Sequence, residues 1–335
     1  MKNYEATSFL ACAGEVDQRA GRQTETPFEP GRPHRFLIST GLQDAPGQRP
    51  PPHRIPAASV AAASVFRIAR DGEIAGEARG RGQPVVLIHG WALDRRAWAH
   101  QVSAFARHFR TITYDRRGFG ESTSPPSLEQ ELLDLDAILD RLQIDRVALV
   151  GMSQGGRIAL RYARTRPHRV RALVLQSAPL DGHQPPTADR TMLPVERYAD
   201  LLRAGDRAAF VRELAAHPLL DPGEKYPAVR EEVLEMLRTY RGDDLLSYAV
   251  DDWGTGVASD AWLRKIAVRT LVLTGARETL WLRWVADYTA SRIRGAQRRV
   301  LRGGGHLVNM TNPGDYNACV IEFLKRATTP ASGRA

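Results

Sequence analysis

Short apolar, β-branched runs alternate along this chain with stretches of helical periodicity, and the runs end in glycine or polar residues. Pro84–Ile88, Val147–Val150, Ala172–Gln176 and Arg269–Leu273 are runs of this kind, and Arg110–Tyr114 and Gln297–Leu301 are short strand-like stretches with polar residues among them. A strand that is apolar along its length is covered on both faces, and strands separated by helices pair in parallel. The pattern therefore predicts a mainly parallel sheet between helical layers. Ahead of it, Ser64–Arg70 and Glu73–Arg79 flank an Asp71-Gly72 turn and read as an antiparallel hairpin. Trp98, Val102 and Phe105 mark one helical face, and Leu128 to Leu142 carries Leu132, Leu135, Ile138 and Leu139 on another.

The stretch Val147-Ala-Leu-Val-Gly-Met-Ser-Gln-Gly-Gly156 joins one strand to the next helix through a sharp turn. A serine hydroxyl is a weak nucleophile unless it projects clear of its own backbone toward a base, and a strained strand-to-helix turn achieves this. Gly151 and Gly155 flank Ser153 where side chains would collide, and Gly156 lets the helix pack close to the strand. The helix starting after Ser153 directs its positive end toward the serine, which favours a developing oxyanion. The turn reads as a nucleophile elbow with Ser153 as nucleophile.

Serine chemistry of this kind needs an imidazole base and a carboxylate that fixes its tautomer. His306 follows Gly303-Gly-Gly305 after the last strand, so its loop can reach the sheet's C-terminal edge. His89 precedes the elbow and supports its loop, while His108, His168, His183 and His217 fall on helices or flanking loops. Glu278 follows the penultimate strand at the same edge and is the expected acid. The backbone N–H of Trp91, after His89-Gly90 at the end of a strand, is a candidate oxyanion donor, and its indole can wall a pocket.

The alternation stops between Asp181 and Trp262, where short helical patterns appear around 194–203, 206–216, 227–240 and 244–252. This reads as a helical insertion over 181–262, capping a core made of 61–180 and 263–326. Tyr198, Phe210, Leu214, Met236, Leu237, Tyr240, Trp253 and Trp262 supply its apolar surface. Residues 1–60 are rich in Gly, Pro, Gln and Arg without periodicity and read as a disordered extension, and 327–335 as a flexible tail. The apolar piece Ser8 to Gly14 is short and flanked by Glu5 and Glu15, so it does not read as a secretion signal.

His89-Gly90, the Arg-Gly-Phe-Gly turn inside Asp115 to Ser122, Gly151-Met-Ser-Gln-Gly155, Gly275-x-x-Glu278 and Gly305-His306, in that order, resemble the α/β-hydrolase family in its capped esterase, enol-lactonase and perhydrolase-like branch. The resemblance spans about residues 64–326. It implies an eight-stranded, mostly parallel sheet flanked by helices, with Ser153, an acid and His306 as a triad and the amides of Trp91 and Gln154 as oxyanion hole. That acid is usually aspartate in the family. Some relatives take it from after the preceding core strand, which makes Asp181 the alternative to Glu278.

A dehalogenase is disfavoured because such relatives need a carboxylate nucleophile where Ser153 stands. No G-x-G-x-x-G opens a helix after the first strands, against dinucleotide binding. The formal charge of +9 suggests nucleic acid at first sight, yet only four of the 47 basic residues are lysines and the arginines are scattered. Cys12 and Cys319 build no disulfide framework or metal site, and no run approaches a membrane span, so a cytoplasmic enzyme without metal or organic cofactor is expected. The expected reaction is hydrolysis of a small or medium ester or lactone. A perhydrolase, a C–C bond hydrolase, and a non-catalytic receptor of the same fold are the alternatives.

Overall fold

The computed structural model describes residues 63–183, 192–247 and 258–328. The expected 1–60 extension, Trp253 and the end of the 327–335 tail lie outside these residues. The strands are β1 (Ser64–Arg70), β2 (Gly72–Arg79), β3 (Pro84–Ile88), β4 (Arg110–Tyr114), β5 (Val147–Met152), β6 (Val170–Gln176), β7 (Arg269–Gly275) and β8 (Gln297–Leu301). They form one sheet in the order β1-β2-β4-β3-β5-β6-β7-β8. β2 is antiparallel to β1 and β4, and all pairings from β4 through β8 are parallel.

Alternation along the strands divides the core. Val85, Leu87, Ala148, Val150, Ala172 and Val174 face one layer, with α1 (Ala99–Ala106), α10 (Val308–Thr311) and α11 (Pro313–Thr328). Val86, Ile88, Leu149, Leu173 and Leu175 face the other, with α2 (Glu131–Arg141), α3 (Gln154–Thr165) and α9 (Leu280–Arg292). Burial of both faces explains why β3 and β5 are apolar along nearly their whole length. The predicted helix from Leu128 begins only at Glu131.

Between β6 and β7 lie α4 (Val195–Arg203), α5 (Arg207–Ala215), α6 (Pro227–Thr239), α7 (Asp243–Leu246) and α8 (Asp260–Arg264). Tyr198, Phe210, Leu214, Met236, Leu237 and Tyr240 are buried in the same cluster as Val85 and Leu87, so the insertion's apolar residues continue one face of the core. Trp262 differs from expectation. It packs on the opposite layer, with Leu263 and Val285, and the Arg164 guanidinium lies 5.9 Å from its ring centre. The chain has already rejoined the sheet's far side by α8, because Leu263 and Ile266 find their apolar partners there.

The sheet order reverses direction at β3 and β5, which lead to opposite sides of the fold. In open parallel sheets such a switch point opens a crevice at the C-terminal ends of the strands. Ser153 follows β5 and Trp91 follows β3, so both stand at that crevice.

Candidate active site

Ser153 sits between β5 and α3 with φ 52° and ψ −124°, a left-handed backbone that L-residues rarely adopt. Such a conformation costs on the order of 1–3 kcal/mol and persists only where neighbours over-determine it. They do so here. A Cβ on Gly151 would lie 2.4 Å from the Gly155 carbonyl oxygen, and one on Gly155 would lie 2.3 Å from that of Ile88. The Ser153 N–H donates to the Gln176 carbonyl at 2.8 Å, tying the turn to β6. A Cβ on Gly90 would lie 3.3 Å from the Ser153 Cβ, so the His89-Gly90-Trp91 loop rests against the serine side chain.

His306 and Glu278 meet in the loops after β8 and β7. The ring Nδ1 is 2.9 Å from Glu278 Oε2, with both side chains almost wholly buried. Glu278 Oε1 accepts from the Thr279 N–H at 2.9 Å. Burial pushes the Glu278 carboxyl up, but the His306 charge and hydrogen bond, with help from Ser177 and the Thr279 amide, outweigh it and hold the group below its ordinary range. An ionised Glu278 only accepts, so Nδ1 carries a proton directed at it.

Asp181 is placed elsewhere. Its carboxylate takes the Nε–H of Arg157 and, at 2.5 Å, that of Arg161, both on α3. Of the two carboxylates considered from the sequence, Glu278 is the one brought to the His306 ring.

Support for the histidine loop comes from residues that sequence reasoning passed over. Gln176 Nε2 donates to the His306 carbonyl at 3.0 Å and to Asn309 Oδ1 at 2.9 Å, and Asn309 Nδ2 donates to the Ala97 carbonyl at 2.9 Å. Gln176 alone offered a signal, as an amide ending an apolar run. Gly275 is a second brace: a Cβ there would lie 2.3 Å from the Gly304 carbonyl oxygen and 2.4 Å from that of Gly305. Gly275→Ala should therefore displace the His306 loop, lowering stability by about 1–3 kcal/mol and kcat for ester hydrolysis by about tenfold or more. Wild-type kcat and urea midpoint in the purified variant would show that the loop tolerates the methyl.

His89 holds the other side. Its Nδ1 donates to the Gly90 carbonyl at 2.8 Å and its Nε2 accepts the Arg116 N–H at 3.0 Å. Burial, reinforced by the Arg116 charge, drives its pKa down to about 3. The unfolded chain thus takes up this proton first as pH falls, so His89 removes stability progressively from about pH 6.5 toward 3, at about 1.4 kcal/mol per pH unit. Asp115, pushed up to about 6 chiefly by burial, works in the opposite sense as pH falls from about 6 to 3.8, across most of that window. NMR of the His89 ring should accordingly show no titration between about pH 8 and 5; a midpoint near 6.5 would contradict its buried, neutral role.

The oxyanion candidates Trp91 and Gln154 both border the turn, Gln154 as the first residue of α3 and Trp91 two residues after His89. Among the described residues no group of three or more His, Cys, Asp or Glu side chains is arranged to hold a metal, and no helix is long and apolar enough to cross a membrane.

A family model described as the alpha/beta hydrolase fold matches residues 83–313. The chain is 31% identical to a 2-hydroxy-6-oxo-2,4-heptadienoate hydrolase of Pseudomonas putida, over 73% of this chain and 90% of that protein. It is 31% identical to a non-heme chloroperoxidase of Kitasatospora aureofaciens, over 77% of this chain and 98% of that one. A thermophilic esterase from Thermogutta terrifontis superposes with a TM-score of 0.67 at 25% identity, covering 79% of this chain and all of the esterase.

Proposed function

Because the chain belongs to the α/β-hydrolase fold family, we propose that it is a serine hydrolase cleaving a small or medium carboxylic ester or lactone through an acyl-enzyme. The observation that carries this reading is the buried Glu278–His306 pair at 2.9 Å, at the same sheet edge as a serine held at φ 52°. His306 Nε2 takes the hydroxyl proton as Ser153 Oγ attacks the carbonyl carbon. The tetrahedral oxyanion is held by the backbone amides of Trp91 and Gln154. The imidazolium protonates the leaving alkoxide, and water activated by the same ring then releases the acid.

The helices of 181–262 act as a cap in this reading. Trp91 stacks on Tyr198 with ring centres 6.5 Å apart, and Tyr240 meets both Trp91 and Phe119 at 5.9 and 5.6 Å. These rings favour a substrate with apolar character. The protein works in the cytoplasm on a small molecule, and residues 1–60 are dispensable for the chemistry. Likeness to the chloroperoxidase favours one second reading, perhydrolysis on the same residues, in which hydrogen peroxide replaces water at the acyl-enzyme and yields a peracid.

A fluorophosphonate probe tests the proposal. It should label the protein covalently, with the modified peptide containing Ser153 and no label after His306→Ala. A label on another residue, or none on the active protein, would exclude the serine mechanism. Peracid formation from acetate and hydrogen peroxide, faster than ester hydrolysis, would favour the second reading.

A further inference from the structure

We propose that Asp244 is a positioning residue that, through the indole of Trp91, fixes the peptide whose N–H serves as oxyanion donor; this rests on the serine-hydrolase reading. Asp244 lies on α7, in the helical insertion, and is 4% exposed. Its Oδ2 accepts the Trp91 Nε1–H at 2.7 Å and its Oδ1 accepts the Tyr240 hydroxyl at 2.5 Å. A carboxylate is costly to bury among aromatic rings, and an apolar residue would fill the space more cheaply. What the carboxylate adds is direction: one oxygen for each of two donors.

The loop it grips does not define itself. Gly90 has no side chain to restrict its backbone, and it lies against the Ser153 side chain. Ala92 has φ 58°, a left-handed conformation unfavourable for a residue with a Cβ. A turn with a permissive residue before Trp91 and a strained one after it keeps its shape through tertiary contacts. The Trp91 indole is the long lever through which such a contact reaches the turn, and Asp244 holds its far end.

The neighbouring chain is docked to match. The Arg241 guanidinium donates to the carbonyls of Gly120 and Ser122 at 3.1 and 3.0 Å. Tyr240 lies nearly parallel to Phe119, with an interplanar angle of 7°. The junction of α6 and α7 is thereby seated on the core, and Asp244 is presented to Trp91 from a fixed base.

Replacing Asp244 tests this. Asp244→Leu should lower kcat for p-nitrophenyl acetate by about 10- to 100-fold with KM nearly unchanged, because an oxyanion donor acts in the transition state. Asp244→Asn keeps an acceptor for the indole and a donor for the Tyr240 hydroxyl, and should retain kcat within about threefold. By NMR, the Trp91 indole proton should exchange slowly with solvent in the wild type and Asp244→Asn, and rapidly in Asp244→Leu. If Asp244→Leu fails to fold, Trp91→Phe supplies the second arm: it removes the donor while keeping the backbone amide, and should lose kcat to a similar extent.

Wild-type kcat in Asp244→Leu or in Trp91→Phe overturns the inference, as does a loss of kcat/KM carried by KM alone. So does a fast-exchanging wild-type indole. Absence of fluorophosphonate label on Ser153 of the wild type is a different failure: it removes the serine-hydrolase reading itself, and the inference with it, whatever the indole exchange shows.

Discussion

Ser153→Ala is expected to abolish turnover of short p-nitrophenyl esters, by about 10⁶-fold in kcat, while the protein stays folded. Alanine removes the hydroxyl that would form the acyl bond and leaves Gly151, Gly155 and the tie to β6 in place. His306→Ala should lose activity to a similar degree, since a hydroxyl without its base is not deprotonated at neutral pH. The informative measurement is the double variant. Nucleophile and base that act as one unit give a double loss close to either single loss, whereas multiplied losses would mean that Ser153 and His306 do not cooperate. Circular dichroism and urea midpoints near wild type would establish that chemistry, rather than folding, has been removed.

The second expected result separates the two carboxylates. Glu278→Gln should lower kcat by about 10³- to 10⁴-fold, because an amide donor facing Nδ1 favours the tautomer in which Nε2 is protonated and cannot accept from serine. Asp181→Asn should leave kcat within a fewfold and instead lower stability by about 2–3 kcal/mol, as Arg157 and Arg161 exchange a buried carboxylate for a neutral partner. The pH dependence carries the same signature. Glu278 is held below its ordinary pKa, so the stability it contributes is present above the unfolded value and is lost as pH falls through the lower folded one. In Glu278→Gln that portion of the acid sensitivity should vanish. A large kcat loss in Asp181→Asn with little in Glu278→Gln would reverse the assignment and leave Ser153 and His306 unaffected.

The family relationship bounds the chemistry without choosing the substrate. Relatives with names as different as a hydrolase and a chloroperoxidase match this chain at the same 31% identity. Sites grafted on one fold differ in pocket shape far more than in catalytic residues. In this chain aromatic rings of the insertion, Tyr198 and Tyr240, pack on Trp91 from the core. Variation of those rings, assayed across an acyl-chain series, is the direct route to specificity.

What the linear sequence determined is whatever depends on local periodicity and local sterics. Apolar runs separated by helical patterns encode strands buried on both faces, and β3 begins and ends where its run does. Glycines at 151, 155 and 156 encode a turn too tight for any Cβ, which made Ser153 legible from its neighbours alone. The glycine run before His306 likewise reveals a loop able to return to the sheet edge. Only the tertiary structure decided how buried polar groups pair. Glu278 and Asp181 both follow strands at one edge, yet Asp181 faces two arginines on α3 while Glu278 faces the imidazole. Asp244 reaches Trp91 across 153 positions of chain, and Gln176 reaches Asn309 across 133. A buried carboxylate or amide must find a partner, but its own sequence neighbours do not say which. That choice is made when distant loops converge, and the loops that converge here are the ones that carry the serine, the histidine and the indole.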